Sequence, residues 1–241
     1  MNKLQDKIQE KLQSRLLAIV LVVLLLVSMV YVSRETIDYA TGKNVNVAEG
    51  TKCVVIDAGH GGVDPGKVGL NGAYEKDVNL QIALLVKQYL EAADVTVVMT
   101  RETDEGLYDS NASNKKVQDM KRRIALIDEV QPQLTVSIHQ NSYPEEYVHG
   151  AQVFYYDGSA QGKRLAERIQ SQMVEKADHE NKRGIKANDS YYLLKKTGIP
   201  IVIVECGFLS NSAEADLLCD PEYQDRIAWA IHMGILQYLN E

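Results

Sequence analysis

VVIDAGHGG, residues 54–62, is the stretch that decides how this chain folds. Val54, Val55 and Ile56 form a short apolar run suited to a strand covered on both faces. Gly59, Gly61 and Gly62 then let the backbone turn sharply and approach a ligand closely. Asp57 and His60 stand between them. A strand that runs out into a glycine-rich loop carrying a His is how an open α/β sheet places chemistry at the carboxyl ends of its strands. The plainer alternative is a tight turn with a solvated His.

Working outward, strand and helix signals alternate. Residues 77–91 carry an apolar stripe of Val78, Ile82, Leu85 and Leu90 at helical spacing, with Asp77 suited to the N-terminal end. Residues 95–100 are a β-branched run. Residues 102–113 are polar and loop-like. Residues 116–130 repeat the helical stripe through Val117, Met120, Ile124 and Ile127. An apolar strand at 134–138 runs into His139, and a second, with aromatic residues, spans 151–156. Residues 160–176 read as a helix, 199–204 as a very apolar strand running into Glu205, and 223–239 as a closing helix. This order predicts one α/β domain over 51–241, a mostly parallel twisted sheet with helices on both faces.

Residues 1–15 are polar and include Lys3, Lys7, Lys11 and Arg15; residues 16–33 then run without a charge. At about 1.5 Å rise per residue, such a run just crosses a bilayer core. It has no polar face, as a core helix would, and no small-residue cleavage site follows it. The expectation is a cytoplasmic tail at 1–15, a single transmembrane anchor at 16–33, a tether at 34–50, and a domain outside the cytoplasm, because the basic residues crowd the N-terminal side. The net charge of −7 and a pI near 5.3 argue against nucleic acid as a partner. Cys53, Cys206 and Cys219 form no CxxC pair, so neither a thiolate metal site nor a disulfide scaffold is expected.

Three expected strands end on a reactive side chain: His60, His139 and Glu205. Parallel strands bring their carboxyl ends to one edge of the sheet, so these groups can converge there. Glu75 precedes the first helix. Two His and one Glu make the ligand set of an open catalytic zinc site. A second carboxylate that does not bind the ion can take a proton from water. Taken singly, His139 could be a satisfied core histidine and Glu75 a helix-start carboxylate. Glu205 is harder to set aside, because burying a carboxylate beside VIV is costly unless something pairs with it. Two further patterns fail. Gly61 to Lys67 has phosphate-loop spacing, but Val68 replaces the magnesium-binding hydroxyl and Pro65 removes an N–H. His179-Glu180 lacks the second His of a zinc-protease helix. His149, His179 and His232 have no companions and read as structural or solvated.

DAGHGG, Glu75 in GAYEKDVNL, SIHQNS and VECGFLSN together resemble the motif blocks of the zinc-dependent N-acetylmuramoyl-L-alanine amidases of the type-3 amidase family, in order and spacing. The resemblance implies that His60, Glu75 and His139 bind Zn2+, that Glu205 is catalytic, and that Thr100, Arg101 and Asp104 are structural. The family has a small residue after the second His where this chain has Gln140. Gln140 and Asn141 are the candidate substrate contacts. Within the family, the short anchor and the lack of wall-binding repeats are similar to the germination-specific spore cortex branch of endospore formers. The implied substrate is peptidoglycan, stripped of stem peptides so that muramic δ-lactam can form; the cell membrane would hold the N-terminal helix, and an accessory protein partner stays open. The competing readings are a membrane-tethered wall-binding protein without activity and a zinc peptidase acting within stem peptides.

Overall fold

The first strand, β1 (Cys53–Ala58), is buried along its whole length, as its apolar run requires. It lies inside a six-stranded sheet whose order is β2-β1-β3-β6-β4-β5. The others are β2 (Thr96–Met99), β3 (Leu134–Asn141), β4 (Gln152–Tyr156), β5 (Lys186–Asn188) and β6 (Ile201–Phe208). This computed structural model describes residues 20–24 and 52–241. Every pairing is parallel except that of β4 with β6, so the sheet is mostly parallel, as the alternation of signals predicts.

Side chains alternate across the strands. Val54, Ile56 and Ala58 of β1, Val136 and Ile138 of β3, and Val202, Val204 and Cys206 of β6 join the main core. That core is closed by α1 (Glu75–Glu91), α3 (Ala160–Gln172) and α6 (Pro221–Leu239), with α6 packed on both of the others. A π-helical turn, Met173–Ala177, extends α3, so the helix expected over 160–176 changes its winding near its end. The opposite face is covered more thinly, by α2 (Lys115–Val130) on β1 and by α4 (Tyr192–Lys196) on β4 and β6. Between β6 and α6 lies α5 (Ser212–Leu217).

The face of α2 differs from the expected stripe. Ile127 is buried, but so is Arg123, while Val117 is exposed. A buried carboxylate on the sheet, Asp57, draws the guanidinium inward. The strands also run further than their apolar cores suggest: β3 continues through His139, and β6 continues through Glu205 to Phe208. Both residues are therefore paired strand residues, and they face each other directly in the β3–β6 register.

Residues 20–24 are helical. The rest of the anchor expected at 16–33, with the tail at 1–15 and the tether at 34–50, lies outside the described residues. Among those described, no helix is long and apolar enough to cross a membrane.

Candidate metal centre

Three side chains from three elements meet at the carboxyl edge of the sheet. His60 comes from the loop after β1, Glu75 from the first turn of α1, and His139 from β3. Glu75 Oε1 lies 3.2 Å from His60 Nε2 and 3.0 Å from His139 Nδ1. One ligand atom from each residue lies within 4.8 Å of the other two, and among the described residues this is the group of such donors that could hold an ion. A carboxylate oxygen flanked by two imidazole nitrogens is satisfied by protons or by a cation. Two nitrogens and one carboxylate oxygen fit a divalent ion such as zinc, with coordination left over for water. Burial opposes ionisation of Glu75, but hydrogen bonds from His139 and His60 hold its carboxyl well below the usual range. Glu75 is thus kept as the anion a metal requires.

The groups around these three fix how they point. His60 takes a left-handed backbone conformation, φ 62°, uncommon for a residue with a side chain. It is held there by bonds to the carbonyls of its loop. Arg101 donates to Ala58 O and Gly59 O, Arg123 to Ala58 O and His60 O, and Asn79 to Gly59 O. Arg123 is 1 % exposed and also pairs with Asp57 at 2.6 Å and Asp119 at 2.6 Å. Burial opposes the Asp57 charge, yet Arg123 and the Ser137 hydroxyl bring its pKa down to about 2. His60 Nδ1 lies 3.0 Å from Asp64, the partner that orients a metal-binding imidazole. Gly59 packs against the His139 ring so closely that a Cβ would overlap it. The 61–67 segment, with its phosphate-loop spacing, instead gives the Lys67 N–H to Glu75 Oε2 at 2.7 Å.

Glu205 stands beside this cluster on β6, directly across from His139. It is 7 % exposed, and its Oε2 has no hydrogen-bond partner. Burial raises its pKa to about 7, partly offset by His139 and His60 and reinforced by Glu75. A carboxylate poised near neutrality in a cleft is suited to accept and return a proton. Cys206, next in the strand, points to the opposite face and packs in the main core.

The cluster opens into a cavity of about 350 Å³, lined on its far wall by Met120, Tyr191, Tyr192 and Leu193 from α2 and the α4 region. Of the two candidate substrate contacts, Asn141 lines this cavity and its Oδ1 accepts the Ser142 N–H. Gln140 borders the cavity as well, but its side-chain amide is buried and donates to Asn79. His232 is buried beside Tyr89 and Trp229, away from the cluster. Arg123 and Asp64 are the functional neighbours that motif spacing did not single out; the one available signal was an Arg in the middle of an otherwise apolar helical stripe.

Similarity to known proteins spans the same domain. Residues 54–237 match the family model for N-acetylmuramoyl-L-alanine amidase. The germination-specific N-acetylmuramoyl-L-alanine amidase of Bacillus subtilis is 38 % identical over 193 residues, 79 % of this chain and 81 % of that protein. The CwlD amidase of Clostridioides difficile, solved in complex with the GerS lipoprotein, is 39 % identical with a TM-score of 0.77; the match covers 79 % of this chain and 99 % of that one. The catalytic domain of CwlV from Bacillus (Paenibacillus) polymyxa is 32 % identical with a TM-score of 0.70, over 79 % of this chain and 99 % of that one.

Proposed function

Since this chain belongs to the N-acetylmuramoyl-L-alanine amidase family, we propose that it uses zinc to hydrolyse the bond between muramic acid and L-alanine in peptidoglycan, outside the cytoplasmic membrane and in the spore cortex. The observation that carries the chemistry is Glu205, a buried and half-unpartnered carboxylate beside a His60–Glu75–His139 donor set. Zinc held by those three residues supplies the Lewis acidity that polarises an amide carbonyl and acidifies water.

The chain's own groups do the rest. Glu205 accepts a proton from the water whose oxygen bonds to the lactyl carbonyl carbon. When the C–N bond breaks, Glu205 returns that proton to the departing L-alanine nitrogen, leaving a free muramic carboxyl and a free amine. Asp64 and the arginine-bound carbonyls hold His60 in place, and Gly59 leaves room for the His139 ring. The cavity wall of Tyr191, Tyr192 and Leu193 gives the stem peptide an amphipathic surface beside the reacting atoms.

Support for the cortex role is the likeness to a germination-specific amidase, and support for a protein partner is the solved complex of a similar amidase with a lipoprotein. The charge-free run at 16–33 supports a single-pass anchor with the domain outside. Mass spectrometry of peptidoglycan digested by the full chain tests the reaction. Glycan strands with free muramic carboxyls and stem peptides with L-alanine amino termini are expected. Cleavage inside the stem would point to a peptidase; bound zinc with no product would point to a wall-binding protein. Expression in a spore former that lacks its own cortex amidase should restore muramic δ-lactam. Protease added to intact protoplasts should remove the domain, and a domain cut only after permeabilisation would reverse the orientation.

A further inference from the structure

Gln140 follows His139 on β3 and borders the cavity, but its side-chain amide is buried against α1. It is 4 % exposed and donates Nε2 to Asn79 Oδ1 at 3.1 Å. Asn79, on α1, is fully buried. Its own NH2 lies 3.1 Å from Gly59 O and 3.4 Å from Glu75 Oε1. Both of those atoms only accept hydrogen bonds. An Asn79 amide turned the other way would press its oxygen against a carbonyl and a carboxylate, and would meet the Gln140 NH2 with a second NH2. The amide therefore has one orientation, and Gln140 supplies the donor to its oxygen. The Gln140 backbone N–H reaches the same Glu75 oxygen at 3.1 Å.

We propose that Gln140 is a positioning residue of the metal centre: it locks the Asn79 amide so that Asn79 holds the Glu75 carboxylate and the Gly59 carbonyl of the His60 loop in register for the ion. The inference rests on the zinc reading above. A small residue at 140 would leave Asn79 Oδ1 without a protein donor and take away one of the three hydrogen bonds that anchor this side chain. Hydrogen bonds made to metal ligands by such neighbours are worth about 10- to 100-fold in metal affinity. Gln140 reaches a ligand through one intermediary, so the lower end is expected here.

The test is zinc affinity by competition with a chromophoric chelator, on the full chain, with a thermal melt alongside. Gln140→Met keeps the volume and removes the amide. It should melt near the parent yet bind zinc roughly 10-fold more weakly. Gln140→Ala gives the same comparison if Met packs poorly. Asn79→Ala should weaken zinc at least as much, and adding Gln140→Met to it should weaken zinc no further, because the two act in series. A folded Gln140→Met or Gln140→Ala with parental zinc affinity overturns the proposal, as does an additive double variant. A parent that binds no zinc overturns the zinc reading itself, and this inference with it.

Discussion

Replacing Glu205 by Gln in the zinc-free protein should stabilise the domain above neutral pH, and the gain should vanish in acid. The cause is the burial of this carboxylate, which carries its pKa from 4.5 to about 7. A group whose pKa is raised by folding binds its proton more tightly in the folded state. Its contribution is intact below the unfolded value and is lost as pH rises through the folded value. The parent must therefore give up stability between about pH 4.5 and 7, while neutral Gln, of almost the same volume, gives up none. The gap between those pKa values, at about 1.4 kcal/mol per pH unit, is roughly 3–4 kcal/mol. For a domain of this size that is roughly 10 °C in Tm. The assay is urea unfolding of parent and variant with a chelator present, at pH 4 and pH 8.5. The difference should be small at pH 4 and approach roughly 3–4 kcal/mol at pH 8.5. Added zinc should shrink or reverse it, because a cation beside the carboxylate stabilises its charge. A pH-independent difference, or a variant less stable than the parent at pH 8.5, would refute the burial argument.

Four other substitutions probe the surroundings. His60→Ala and His139→Ala should each yield a folded domain with little zinc, since two ligands hold the ion poorly; stoichiometric zinc in either folded variant would remove that residue from the ligand set. Arg123→Ala strands the buried Asp57 charge and frees the carbonyls of the His60 loop. It should cost about 3–5 kcal/mol in chemical unfolding, and a cost below ~1 kcal/mol would show that the pair is not the anchor described here. Gly59→Ala places a methyl in the His139 ring, so weakened zinc binding is expected from the same titration used for Gln140; unchanged binding would mean that the ring can move at no cost.

Much of the fold was legible because strands buried on both faces must be apolar throughout. β1, β3 and β6 each announce themselves that way, and their parallel order brings His60, His139 and Glu205 to one edge. What stayed hidden has physical reasons. β5 is three residues long, Lys186–Asn188, with no apolar signal. The antiparallel direction of β4 is set by where its neighbours leave room, which no local pattern records. Arg123 interrupts an apolar helical stripe, but its role shows only once Asp57 is found beneath it, since a buried ion pair is visible only when both partners are placed. The expected ends of β3 and β6 fell short for a related reason: strand pairing continues through His139 and Glu205 because each satisfies its polar backbone across the ladder, whatever its side chain does. Gln140, expected at the substrate, borders the cavity while its side-chain amide bonds Asn79, a contact that no sequence pattern records.

The central claim is that Glu205 moves the proton while His60, Glu75 and His139 hold the metal. It is tested most directly by the rate at which zinc-loaded parent and Glu205→Gln release stem peptides with new L-alanine amino termini from peptidoglycan, with metal content measured on the same samples. The variant should keep its zinc and hydrolyse at least ~100-fold more slowly, the scale of general acid–base catalysis. A variant that retains both its zinc and the parental rate would contradict the claim, and one that loses its zinc would make Glu205 a ligand instead.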